Sequence, residues 1–155
     1  MNPLLNHQAL NLIQMKSINR LIILTIVFNF FILIAAEHGI GFLGLIEIFA
    51  PNDLINGDVK FSLTGDYNER LFSSAIIAAA GQIILLITYR IKKEVQKIKV
   101  VYLGLFILFF SWFILIVDLF NSMFDSFSFW GGSPFLISAI LLLVKTISVH
   151  RADIK

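Results

Sequence analysis

Hydrophobic positions in this chain come as four long runs rather than as an alternating or heptad pattern: residues 21–38, 71–89, 100–120 and 133–149. Each is 17 to 21 residues long, near the ~20 that a helix needs to cross a ~30 Å hydrocarbon layer. The pattern predicts an all-α integral membrane protein, a four-helix bundle in one domain spanning residues 1–155. A polar loop at 51–70 joins the first two spans, and a short basic loop at 90–99 joins the second and third.

Apolar residues continue beyond the first run. Residues 21–50 would make about 45 Å of helix, more than a bilayer accommodates without tilt or a break. Gly39, Gly41 and Gly44 supply the expected break. Residues 42–49 then predict a short helix on the outer interface, stopped by Pro51. The glycines spell G-x-G-x-x-G, but the motif requires a preceding strand within a βαβ unit, so a turn or close packing is the better reading. In the loop, residues 59–64 alternate as a half-buried strand would. Asp66 and Glu69 have the spacing of a capping box, and Ser133-Pro134 that of a helix start. Residues 3–18 carry apolar positions at helical spacing, consistent with a helix on the inner membrane surface.

Charge sets the expected orientation. With the N-terminus inside, Lys16, Arg20, Arg90, Lys92, Lys93, Lys97, Lys99, Lys145, Arg151 and Lys155 face the cytoplasm, and only Lys60 and Arg70 lie outside. Ten of the twelve basic residues agree, so both termini are expected to be cytoplasmic. Most acids, Glu37, Glu47 and Asp118 among them, fall on the outer side.

Composition narrows the class. At 58% hydrophobic and 14% charged, the chain is more apolar than a soluble domain. The net charge of +2 reflects basic flanks of the spans, so nucleic acid is not an expected partner. The absence of cysteine excludes disulfides, thiol redox chemistry and cysteine-bearing metal sites. No cofactor or metal is implied.

Polar side chains within the spans are few. Asn29 is nine residues from Arg20 and Gln82 eight from Arg90, which places both ~12 to 13 Å from the inner boundary and predicts an interhelical polar contact. Ser74 and Ala78 have small-xxx-small spacing for close helix approach. Glu37, His38, Arg70 and Asp118 gather at the outer ends as a polar cluster, with Arg70 as the natural partner for Glu37 or Asp118. One histidine and scattered acids lack the spacing of a metalloenzyme motif.

The layout resembles claudins and related tetraspan proteins in architecture, with inside termini and a larger first outer loop, but lacks the tryptophan and paired cysteines of that loop. No family is assigned. The leading expectation is a non-enzymatic accessory subunit or interaction module of a membrane complex. The alternatives are a homo-oligomeric channel or transporter for a small solute or ion, and an outer-interface enzyme using Glu37, His38 and Asp118. The partners expected are the lipid bilayer and other membrane subunits or further copies. The expected home is a bacterial inner membrane, and an organellar membrane fits the same physics.

Overall fold

The computed structural model describes residues 3–36, 39–57 and 60–153. Six α-helices account for most of them: α1 (Pro3–Phe30), α2 (Leu43–Asn56), α3 (Tyr67–Ile87), α4 (Glu94–Leu115), α5 (Met123–Gly131) and α6 (Ser133–Asp153). Two short strands, β1 (Leu33–Ala36) and β2 (Gly39–Phe42), lie between α1 and α2, and a 3-10 turn at Thr88–Arg90 ends α3. Three helices are long and apolar enough to cross a membrane: Tyr67–Arg90, Glu94–Leu115 and Ser133–Arg151.

The first apolar run departs from the expected helix. α1 ends at Phe30, and residues 33–36 and 39–42 pair as an antiparallel hairpin in the register Leu33↔Phe42, Ile34↔Gly41, Ala35↔Ile40 and Ala36↔Gly39. Its apolar helical part, residues 21–30, is therefore only about 15 Å long, half of a bilayer core. Phe31, Ile32 and Ile34 favour the extended backbone, where aromatic and β-branched side chains fit a pleated surface. Burial alternates accordingly, with Ile32 and Ile34 inside and Phe31 half exposed. Gly39, the first residue of β2, has φ +139°, a conformation that favours glycine. The break thus comes nine residues before the first glycine, set by side-chain shape.

α2 is also not the short interfacial helix that the sequence suggests. It continues through Pro51 to Asn56 and packs against α3. Proline has no N–H, so the Glu47 carbonyl four residues earlier loses its helical donor. Gly44 lets α2 start against α1: a Cβ there would collide with ring carbons of Phe30. Further on, Ser62 N–H donates to Ser73 Oγ, and residues 60–66 form no strand among the described residues. Asp66 makes no side-chain capping bond at the start of α3, and the Ser133 hydroxyl donates back to the Trp130 carbonyl instead of capping α6. The third apolar run is helical only to Leu115, and residues after it form turns and the separate helix α5, capped by Ser122, which accepts from Asp125 N–H.

α3 and α4 form the tightest helix pair. Ser74 and Ser111 exchange bonds across it, Ser74 Oγ donating to the Ser111 carbonyl at 3.0 Å and Ser111 Oγ to the Ser74 carbonyl at 2.9 Å. Towards the other end Gly81 lies under Leu108 and Gly104 under Leu85. The small residues of α3 therefore serve a neighbour in the same chain. α6 packs along α1, with Phe135, Ala139, Leu142, Ile18 and Ile22 in the shared core. Overpacking this seam is expected to cost about 1–3 kcal/mol. Gly104→Val should lower the thermal unfolding midpoint in detergent, followed by circular dichroism, whereas enlarging the exposed neighbour by Leu103→Phe should leave it within error.

Candidate functional site

Two polar clusters sit in an otherwise apolar interior, one at the N-terminal end of α3 and one well along it. The first is built on Arg70, which is buried together with Asp125. Arg70 Nη1 donates to Asp125 Oδ2 at 2.9 Å and Nη2 to Asp125 Oδ1 at 3.2 Å, a bidentate pairing. Nη2 also reaches Asp118 Oδ2 at 3.2 Å, Nε donates to the Gly65 carbonyl at 3.0 Å, and Nη1 to the Ile114 carbonyl at 3.0 Å. One guanidinium thereby ties α3 to the preceding loop, the end of α4 and the start of α5. Beside it, the Tyr67 hydroxyl bonds Ser128 Oγ at 2.7 Å and lies against the backbone of Ala35, which brings the hairpin to this end of the bundle.

Burial by itself pushes the Asp125 carboxyl up, but hydrogen bonds from Arg70, Ser122 and the Asp118 N–H, with the Arg70 charge, hold it below the usual carboxylate range. Asp118 is half exposed at its side chain and bound to Arg70. Of the residues assigned to this layer from sequence, the structure brings together Arg70 and Asp118, while Glu37 and His38 lie outside the described residues. Asp125, the closest partner of Arg70, was not anticipated. The signal for it was the Ser122-x-x-Asp125 spacing, a helix start within a segment that reads as a loop. With every strong donor of Arg70 committed to structural acceptors, this cluster is a clamp.

The second cluster contains Asn29, Gln82 and Glu47, all buried. Gln82 Nε2 donates to Asn29 Oδ1 at 2.8 Å and lies 2.9 and 3.0 Å from Glu47 Oε1 and Oε2. Gln82 is fifteen residues beyond Tyr67 on α3, about 22 Å along the helix. Glu47, placed among the outer acids by its position in the sequence, is thus deep in the bundle. The displacement follows from the early end of α1. The hairpin rises beside α3 to Tyr67 and returns, so α2 begins near the level of Asn29, where Leu43 N–H donates to the Ile32 carbonyl. From Glu47 at Gln82 to Ser62 at Ser73, the chain climbs nine residues of α3, about 13 Å.

No lysine or arginine pairs with Glu47 among the described residues. Asn29 Nδ2 and, one turn earlier on the same face of α1, Thr25 Oγ1 are buried without a hydrogen-bond partner. Beyond this cluster, Lys97 Nζ donates to Asn19 Oδ1 and Tyr89 OH to the Asn19 carbonyl, both at 2.6 Å, tying α1 to α4 at the basic end. Among the described residues no group of three or more acidic, histidine or cysteine side chains has the arrangement to hold a metal.

No protein-family model, curated protein or solved structure matches the chain.

Removing one partner of a buried ion pair is expected to cost about 3–5 kcal/mol, so Arg70→Met should destabilise the protein far more than Lys60→Met at the exposed loop. Since the folded-state pKa of Asp125 is depressed, its contribution is present above the unfolded-state value of ~3.9 and is lost as pH falls through the lower folded-state value. The melting temperature of the wild type should therefore drop below about pH 4. Asp125→Asn, already weakened at neutral pH, should show a flatter acid limb in the same calorimetric series.

Proposed function

We propose that this chain is a small non-enzymatic subunit of a membrane complex, whose hairpin edge receives an extended segment of a partner subunit. One observation carries this reading: β2 presents Gly39, Ile40 and Phe42 exposed on a hairpin whose other strand packs on α5. β1 is covered by α5 on its far side. Lipid satisfies apolar side chains but not backbone N–H and C=O groups, and an open sheet edge does not persist in hydrocarbon. A strand from another protein supplies the missing bonds.

The surroundings of the edge agree with this. Leu45, Ile48 and Phe49 of α2 continue the same apolar surface, and a cleft of ≈ 210 Å³ lined by Ile34, Gly39, Ile40, Gly41, Phe42, Leu45 and Ile46 lies between strand and helix. An apolar side chain of the incoming segment fills such a cleft while its backbone extends the sheet. In this reading the three long helices and the helix–hairpin–helix unit of residues 21–56 form a four-part bundle with both termini on the basic, cytoplasmic side. A bacterial inner membrane is the proposed setting. The commitment of Arg70 and Asp118 to structural bonds favours this reading over an interfacial enzyme.

Because the chain has no cysteine, a single Ile40→Cys variant reports this contact directly. In native membranes treated with a short thiol and amine crosslinker, it should yield a discrete product containing a second, different polypeptide. Phe106→Cys, on an exposed face of α4, should yield none. A product made of two copies of this chain, or equal behaviour of the two variants, would contradict the hetero-subunit reading.

A further inference from the structure

We infer that Glu47, held by Gln82 and Asn29, is a proton-binding site inside the membrane bundle. The Gln82 amide has two N–H groups, yet three oxygens lie within 3.0 Å of Nε2: Asn29 Oδ1 and both carboxyl oxygens of Glu47. With Glu47 ionised, three acceptors share two donors, and no cation offsets the charge. One added proton corrects this, since it turns one carboxyl oxygen into a donor and leaves two acceptors for two N–H groups.

The surroundings favour the neutral acid. Glu47 is 8% exposed and Asn29 0%, and an ionised carboxylate without a counter-ion in an apolar interior is strongly disfavoured. The elements packed against α2 are α1, α3 and β2. Their charged residues lie far along the helices: Arg20 precedes Asn29 by nine positions, and Glu69 and Arg70 precede Gln82 by thirteen and twelve. Arg90 follows Gln82 by eight, Lys16 is four residues further from Asn29 than Arg20, and β2 carries no charge. Arg70 is in addition committed to Asp125 and Asp118.

A second observation points to exchange with a ligand of the same chemistry. Asn29 Nδ2 is fully buried and has no acceptor, although its own Oδ1 is bound within the cluster. If both amides turn over together, Nδ2 donates to Gln82 Oε1 and the Glu47 hydroxyl donates to the same oxygen. That arrangement exists only for the protonated acid. The site thus has two hydrogen-bonding arrangements of the same three side chains, and the turned-over one, in which the Glu47 hydroxyl has Gln82 Oε1 as its acceptor, is the one that closes around the proton. This inference stands apart from the hairpin-docking reading, because it involves the interior faces of α1, α2 and α3.

The test uses the full-length chain in lipid nanodiscs. Dicyclohexylcarbodiimide, which modifies protonated carboxyls in apolar surroundings, is applied across a pH series and located by peptide mass spectrometry. The peptide bearing Glu47 should gain the acylurea mass at about pH 6, and labelling should fall about tenfold or more towards about pH 9, with Glu69 and Glu94 unlabelled. Glu47→Gln, the uncharged isostere, should keep the wild-type melting temperature at about pH 6. It should lack the loss of stability that the wild type shows as pH rises from the unfolded-state carboxyl value of about 4.3 through the folded-state value. Suppression of labelling by sodium chloride but not by choline chloride at fixed pH would overturn the proton reading in favour of a metal cation. Failure of Glu47→Gln to fold at about pH 6, or labelling of Glu47 that does not change with pH, would overturn it as well.

Discussion

The primary amide of Gln82 joins the two helix segments that flank the hairpin to the regular part of this molecule. In hydrocarbon every polar group needs an internal partner, and the N-terminal quarter of the chain breaks its helix after Phe30 for a hairpin. The interruption is stable because the two helix segments on either side of the hairpin meet at one point on α3. Asn29 is one residue from the end of α1, Glu47 is one turn into α2, and both bond Gln82 Nε2. The Leu43 N–H to Ile32 carbonyl bond closes the hairpin base just above them, and Gly44 allows the ring of Phe30 to lie against the start of α2.

α3 is the member to which everything else is fastened. At its N-terminal end Arg70 collects the Gly65 loop, the last turn of α4 and α5. Along its middle, Ser74 and Gly81 admit α4 at close range. At the far end Tyr89 reaches Asn19 of α1, and Lys97 of α4 joins the same residue. Polar bonds at three heights of one helix thus fix the positions of elements that apolar packing alone would leave free to slide, since lipid offers little hydrophobic drive for helix association. The proposals drawn from this frame divide by face. The hairpin edge looks outward and calls for a protein partner, while the Glu47 cluster looks inward and calls for a proton.

The three spanning helices were legible because length and apolarity alone decide them. Residues 31–36 and 39–42 were not, since stretches apolar on every side have no period to separate helix from strand. Phe31, Ile32 and Ile34 carried a β preference, but it is a weak signal beside a run of suitable length for a span. That one misreading moved Glu47, because its depth was counted from a helix that stops eight residues earlier. Asn29 and Gln82 precede or lie outside the interruption, so counting from the basic flanks gave their relative level. Asp125 was hidden for a different reason: it belongs to a nine-residue helix whose start signal, Ser122, lies in a segment that composition assigns to a loop.

The central claim is that the first apolar run enters the bundle as a half-length helix and a hairpin. Spin labels placed singly at residues 31–36 and 39–42, in a chain that has no native cysteine, would test it through their collision rates with oxygen in bilayers. The account predicts alternation with period two along each strand, with low accessibility at residues 32 and 34 and high accessibility at 31 and 40. A smooth 3.6-residue period through residues 21–38 would contradict it, and with it the placement of Glu47 beside Gln82.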